Sequence, residues 1–439
     1  MIHATPCASS AVNSTPAHSS TRTLRRTVLS GAIGNALEWY DFALYGYFST
    51  LLAQLFFPSN DPATSLLATY GAFAAGFVMR PLGGIIFGLM GDRLGRKQAL
   101  VWAIHLMSLP TFLIGCLPTY ATLGWIAPAL LTLIRLLQGV SMGGGFTGSI
   151  VFIVEHAAQG KRGFWGSLAP LSALMGILLG AGLATLLSYT LSSDALSTWG
   201  WRLPFLLSLA GSWLASYMRR TLTDPSSFTK PAASHKPKAP FRTLWQHHKK
   251  ALVTLFLVDF LVAVGFYMIV TFLVGYYEHF VGLARTDALL VHTCGMLAFA
   301  LVILPTGWML DLWGRKPLMV SAALGFALLT VPLFQGILTH GFYALLFAHV
   351  TFGALMGIYF AAIPAVLVES FPARVRYLGI SLAHNLSMAL FGGSTPFVLT
   401  FLVKTTHSLL APAFCLVFAS LAALGGLWML NDGTKRPLD

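Results

Sequence analysis

The sequence predicts an all-α membrane protein with twelve transmembrane helices in two pseudo-symmetric six-helix bundles. Three observations carry this expectation. The 439 residues are 56% hydrophobic and only 9% charged, with a mean hydropathy of +0.74. A soluble protein carries about 25% charged residues, so too little charge remains here to cover a water-facing surface. Cuts at Pro, Gly and charge clusters leave twelve apolar segments, each near the roughly 20 residues that a bilayer crossing needs. Finally, one ten-residue pattern occurs twice, half a chain apart.

The twelve segments begin near residues 28, 65, 98, 124, 163, 203, 251, 286, 317, 341, 376 and 408. Residues 1–27, rich in Ser, Thr, Pro and His without an apolar core, read as a disordered cytoplasmic tail and not as a cleavable signal. The first span then serves as an uncleaved insertion signal. The N-terminal bundle is expected over 28–218, a polar, basic cytoplasmic loop over 219–250, the C-terminal bundle over 251–430, and a short cytoplasmic tail over 431–439.

Orientation follows from Lys and Arg. With both termini in the cytoplasm, 22 of the 27 basic residues fall on that side; Arg202, Arg285 and Lys404 fall on the other, and Arg80 and Arg135 stay within spans. This is a positive-inside asymmetry. It explains the net charge of +13 without a nucleic-acid partner, and the expected location is the cell (inner) membrane.

The repeated pattern is G-x-x-x-D-x-x-G-R-K. It reads "GLMGDRLGRK" from Gly88 to Lys97 and "GWMLDLWGRK" from Gly307 to Lys316. A second echo pairs "EHAAQGKR", Glu155 to Arg162, with "ESFPARVR", Glu369 to Arg376. Two motifs repeated at half-length imply bundles of common origin. Gly88 and Gly307 permit close helix contact. Asp92 and Asp311 can engage arginines or the positive N-terminus of a helix in the opposing bundle. Gly88, Asp92, Arg93, Gly95, Arg96, Asp311, Gly314, Arg315, Glu155, Arg162, Glu369 and Arg376 are therefore candidates for a latch that forms in one conformational state and breaks in the other.

Between Val28 and Phe57 the only charged side chains are Glu38 and Asp41. A charge at a helix centre costs on the order of 2.5–3.5 kcal/mol. At i, i+3 the two share a helix face, which Asn35 and Tyr45 extend. Trp39 and Tyr40 are candidate cavity aromatics. Each intramembrane arginine needs a partner, and the span 1 carboxylates are the available ones. Asp259 is the acidic residue of span 7, the repeat partner of span 1, and is a candidate for proton transfer or cavity lining. Of the histidines within spans (His105, His292, His349 and His384), His349 is the candidate proton relay; the others read as interhelical hydrogen-bonding residues.

Other chemistries find little support. "GVSMG", Gly139 to Gly143, matches the hydrolase pattern G-x-S-x-G, which requires a strand-turn-helix elbow. Inside an apolar helix its glycines supply a packing face instead. There is no G-x-x-x-x-G-K-[ST] for nucleotide. Cys7, Cys116, Cys294 and Cys415 are scattered free thiols, so no disulfide framework, metal or cofactor is expected.

The paired G-x-x-x-D-x-x-G-R-K loops resemble the major facilitator superfamily. "GNALEWYDF" in span 1, "RPLGG" (Arg80 to Gly84), "RLLQGVSMGG" (Arg135 to Gly144), "KRGFWGS" (Lys161 to Ser167) and "WGWRLPF" (Trp199 to Phe205) resemble the metabolite:proton symporter family, and its proline/betaine branch most. The resemblance implies a central cavity lined by spans 1, 4, 7 and 10, with Arg135 facing it and Arg80 acting as a helix brace. It implies alternating access and proton-coupled symport of a small organic solute, either a proline- or betaine-like zwitterion or a di- or tricarboxylate such as α-ketoglutarate or citrate. A non-transporting membrane sensor is the alternative of another class. Solute, protons and lipid are the expected partners, and the protein is expected as a monomer. Two departures stand out. Gly145 occupies a position where the family usually has an acidic residue, expected to make the surroundings of Arg135 more hospitable to anions. The long C-terminal coiled coil of the osmosensory members does not follow span 12, so regulation through it is not expected.

Overall fold

The computed structural model describes residues 21–60, 62–220, 240–339, 341–434 and 436–438. Most of the expected N-terminal tail (1–20, with Cys7) and most of the central loop (221–239, with Lys230, Lys236 and Lys238) lie outside the described residues. Among those described there is no strand.

Twelve long helical segments follow in order. In the first half they are α1 (Thr21–Tyr47), α2 (Ala68–Arg93), α3 (Arg96–Cys116), α4 (Ile126–His156), α5 (Arg162–Thr190) and α6 (Arg202–Arg220). In the second they are α7 (Lys249–Val281), α8 (Arg285–Trp313), α9 (Arg315–Thr339), α10 (Gly341–Glu369), α11 (Arg376–Thr406) and α12 (Ala411–Met429). Ten of them are long and apolar enough to cross a membrane. The exceptions are α1, which carries Glu38, Asp41 and a basic first turn, and α6, flanked by arginines.

Two expected boundaries change. Residues 21–27 are helical and continue α1 instead of belonging to a disordered tail, since helix propagation needs no bilayer once the following turns are nucleated. The expected loop over 219–250 is helical at both ends: α6 runs to Arg220, Pro240–His247 forms a short helix, and α7 starts at Lys249.

The halves repeat one packing plan. α1 lies on α5 as α7 lies on α11, and α3 packs on α4 and α6 as α9 packs on α10 and α12. The bundles meet along α2 with α11 and, by the repeat, along α5 with α8; α4 touches both α10 and α11. Large side chains such as Trp102, Trp213, Trp308 and Trp428 are exposed, as lipid contact allows.

Glycine sets how closely α2 and α4 approach. A Cβ on Gly139 would fall 1.9 Å from the Gly76 carbonyl oxygen, and one on Gly143 would fall 2.2 Å from that of Arg80. The glycines of "GVSMG" are thus a helix contact, with α4 unbroken from Ile126 to His156. Gly143→Val must force these backbones apart, at roughly 1–3 kcal/mol for overpacking. A thermal melt in detergent should show a lower Tm, while Gly182→Ala, whose Cβ meets nothing within 4 Å, should not; equal melting of the two variants would contradict this contact.

Candidate functional site

The intramembrane charges form two arginine sites at different depths, not one cluster. Glu38 lies against Gly145, where a Cβ would fall 1.9 and 2.0 Å from its carboxylate oxygens. Gly145 is ten residues from Arg135 on α4, or about 15 Å along the axis. The expected pairing of Arg135 with a span 1 carboxylate is therefore not formed. Gly145 also neighbours Glu38 and not Arg135, so its expected influence on Arg135 is corrected as well. Any side chain at 145 would exclude the Glu38 carboxylate from its position.

The inner site centres on Arg80. Pro81 lacks the N–H of an i→i−4 bond, and α2 is interrupted at Met79 directly before Arg80. The buried guanidinium donates through Nε to Asn385 Oδ1 at 3.3 Å and stands 5.7 Å from the Phe77 ring. Glu38, Asp259 and the Tyr267 hydroxyl lie within its electrostatic reach. Arg80, expected as a helix brace, thus has carboxylates of both bundles in its electrostatic reach, while its Nη1 is buried without an acceptor among the described residues. Asp259, wholly buried, meets His384 Nδ1 through Oδ2 at 3.1 Å. Asp41 instead turns to α3, accepting from Ser108 Oγ at 3.0 Å.

The outer site is an arginine in an aromatic cage. The Arg135 guanidinium carbon sits 5.1 Å from Phe42, 4.3 Å from Tyr45 and 4.9 Å from Phe73, measured to ring centroids. Nη1 donates to Gln138 Oε1 at 2.7 Å, and Gln138 Nε2 in turn to Thr111 at 2.7 Å. Nε and Nη2 are buried with no acceptor among the described residues. Tyr45 is held by its hydroxyl donating to the Thr69 carbonyl at 3.0 Å. Each desolvated cation–π contact contributes roughly 2 kcal/mol, but such faces leave N–H donors unsatisfied, and those call for an acceptor.

Aromatic rings close the centre. Trp39 meets Phe146 of α4 at 5.7 Å and Phe266 of α7 at 5.8 Å, and Phe77 meets Tyr267 at 5.4 Å. The Trp39 indole N–H is also buried without an acceptor. Tyr40, expected beside it, points the other way and donates to the Pro204 carbonyl of α6. A helical step of 100° turns adjacent residues to different neighbours. His349 accepts from or donates to the Tyr277 hydroxyl at 2.9 Å and lies 5.4 Å from the His292 ring. It joins neither arginine site.

The repeated loops converge at the end of the bundle that carries the chain termini. Asp92 accepts from the backbone N–H of Tyr377 (3.3 Å) and Leu378 (3.0 Å) in the first turn of α11. By the repeat, Asp311 accepts from Gly163 (2.7 Å) and Phe164 (2.9 Å) in the first turn of α5. Each aspartate thus satisfies the positive N-terminus of a helix in the other bundle. Arg96 pairs with Asp92 and with Glu155; Arg315 pairs with Asp311 and Glu369. Across the bundles, Arg376 meets Glu155 at 2.7 Å and Arg162 meets Glu369 at 3.5 Å. Gly95 (φ 115°) and Gly314 (φ 95°) adopt backbone that other residues disfavour, and Gly88 leaves room for Leu378. Arg93 is exposed.

The residues after α12 join this assembly. Asp432 Oδ2 accepts from the N–H of Arg315 (3.0 Å) and Lys316 (3.2 Å), and the Arg436 carbonyl accepts from Arg162 at 2.8 Å. Burial works to raise the Asp432 carboxyl pKa. Hydrogen bonds from Thr434 and Lys316, with the Arg315 charge, outweigh it and hold the group below the ordinary carboxylate range.

Two related bundles, buried ionisable groups at their centre and charged contacts that join the bundles at one end fit a membrane carrier. Residues 27–229 match the Sugar (and other) transporter family, and residues 255–438 match the Major Facilitator Superfamily. The glycine betaine/proline/ectoine/pipecolic acid transporter OusA of Dickeya dadantii (strain 3937) is 34% identical, over 94% of this chain and 84% of its own length. The proline/betaine transporter of Salmonella typhimurium (strain LT2) is 31% identical over 94% and 85%. The chain belongs to the major facilitator superfamily, in its proline/betaine transporter branch, and is a multi-pass secondary transporter. The proton:xylose symporter XylE bound to 6-bromo-6-deoxy-D-glucose shares the fold, with a TM-score of 0.82 at 17% identity over 95% of this chain and 98% of XylE. The inward-open form of XylE from E. coli superposes less well, with a TM-score of 0.65 at 19% identity over 94% and 98%.

Asp92→Asn removes the charge that holds the α11 N-terminus. Spin-label distances across the latch end should broaden toward longer values, while solute binding changes less than about twofold, since Asp92 is about 20 Å along α2 from Arg80's turn. Unchanged distances would contradict the latch.

Proposed function

We propose that the protein is a proton-coupled symporter for a small zwitterion of the proline or glycine betaine kind, working by alternating access in the cell membrane with both termini cytoplasmic. The observation that carries this reading is Arg135: a buried cation walled by three aromatic rings, with Nε and Nη2 lacking an acceptor. A solute carboxylate supplies that acceptor, in a charge-assisted geometry that suits guanidinium. The rings around Trp39 provide faces for an alkylated ammonium. Arg80 already has Glu38 and Asp259 within reach, so a second negative charge on the solute finds no uncompensated cation there. The names of the similar transporters favour the same solute class.

Proton coupling draws on the inner site. Two carboxylates against one arginine leave one negative charge in excess while His384 is neutral. One added proton neutralises the set, and a low-dielectric interior favours that state. The distribution of Lys and Arg supports a cytoplasmic latch end, so protons and solute would be released there once the latch opens.

In proteoliposomes, an inward proton gradient should drive accumulation of labelled betaine or proline, and a protonophore should abolish it. Glu38→Gln should lose accumulation while remaining folded, and Arg135→Gln should lose binding by about tenfold or more, the worth of a charge-assisted bond. Accumulation that survives the protonophore and requires sodium would sink proton coupling. Competition by α-ketoglutarate or citrate, with none by betaine and proline, would replace the zwitterion with a di- or tricarboxylate. No uptake of any solute would favour a sensor.

A further inference from the structure

Between the inner site and the latch, α11 bonds across the bundle interface through side chains four residues apart. The Tyr377 hydroxyl donates to the Gly144 carbonyl at 2.7 Å, and Ser381 Oγ meets Thr147 Oγ1 at 3.1 Å. Asn385 completes the stripe. Its Oδ1 accepts from Arg80 Nε at 3.3 Å, and its Nδ2 donates to the Gly143 carbonyl at 2.6 Å and to its own helix at Ser381. It is fully buried, and a Cβ on Gly84 would stand 2.8 Å from its Nδ2. One side chain of the C-terminal bundle therefore holds α2 and α4 of the other bundle together with the cation of the inner site. A π-helical turn, Met388–Gly392, begins three residues later, and such turns are frequent at functional positions.

We propose that Asn385 is the positioning residue that makes proton release conditional on opening of the latch end; this rests on the proton-coupled reading above. The Arg80–Asn385 bond exists only while α11 lies against α2 and α4. When α11 moves away with α7, Arg80 loses a neutral acceptor in apolar surroundings and turns more fully to Glu38, the carboxylate of its own bundle. A closer cation favours the ionised form of Glu38, so the proton leaves toward the side that has just opened. In the reverse sense, a protonated inner site attracts Arg80 less, frees it for Asn385 and favours closure. The titratable groups facing this exchange are Glu38 from α1, Asp259 and Tyr267 from α7 and His384 from α11. Among the described residues, those that α4 brings here, Gly143, Gly144, Gly145, Phe146 and Thr147, are not titratable.

The test compares two transport modes in proteoliposomes: accumulation driven by an imposed proton gradient, and solute-for-solute exchange, which needs no net proton movement. Asn385→Ala should keep exchange within about twofold of the parent and lower accumulation by about tenfold, the usual size of a coupling between sites. A proportional fall in both modes would reduce Asn385 to a structural role, and parent-like accumulation would remove it from coupling; either overturns the proposal. Asn385→Asp keeps the shape and tests the same link if the alanine variant does not fold. Its carboxylate competes with the inner carboxylates for Arg80, and the oxygen in place of Nδ2 faces the Gly143 and Ser381 carbonyls, so accumulation should fall more than exchange; parent-like accumulation here also overturns the proposal. A parent protein that accumulates solute without any response to the proton gradient overturns the proton-coupled reading itself, and this proposal with it.

Discussion

Charge inside an apolar bundle is expensive, and most of the architecture answers that cost. A single charge at a helix centre costs on the order of 2.5–3.5 kcal/mol, and breaking a buried ion pair costs roughly 3–5 kcal/mol. The inner arginine meets the cost with the Asn385 amide and with carboxylates of both bundles in its electrostatic reach, and its Nη1 is left without an acceptor among the described residues. The outer arginine meets it with three aromatic faces and one glutamine, which leaves two N–H groups unsatisfied. The difference separates their roles. An arginine with carboxylates of both bundles in its reach suits coupling, whereas one whose neighbours are neutral suits an anionic ligand.

The internal repeat explains how the same constraint builds a closable end. Two aspartates cap helices of the opposite bundle, and two arginine–glutamate pairs cross the interface in equivalent positions. On the proposed alternating access, two halves related by symmetry would open together, because both span the same interface between the bundles. Asp432 and Arg436 add backbone and side-chain contacts to one half, so the two halves are alike in plan and unequal in strength. Between these contacts and the centre, the Tyr377–Ser381–Asn385 stripe bonds across the same interface.

Much of the fold was legible because bilayer thickness fixes helix length and because the repeat is written in two motifs at half-length. The aspartate contacts at helix N-termini were legible for the same reason: an acidic residue at a helix end has few electrostatic options. The centre was less so. Arg80 could be placed within a span, but Pro81 interrupts α2 beside it, and what gathers around it depends on α11 of the other bundle. Tyr40 and Trp39 are neighbours in sequence and opposites in direction, which an approximate helix register does not resolve. Asn385 carried no charge to flag it, and its role depends on a neighbour 305 residues away. Gly145 was visible as an anomaly, yet that it makes room for Glu38 requires the positions of two helices.

On the proposed coupling, solute entry carries a proton through the Glu38–Arg80–Asp259 set. The direct measurement uses proteoliposomes loaded with a pH-sensitive dye, with no gradient imposed, to which betaine or proline is added. The lumen should acidify as solute enters, with about one proton per solute molecule, as neutralisation of one excess carboxylate requires, and Glu38→Gln should abolish the signal. Solute entry at an undiminished rate with no change in lumenal pH in the parent protein would contradict the account.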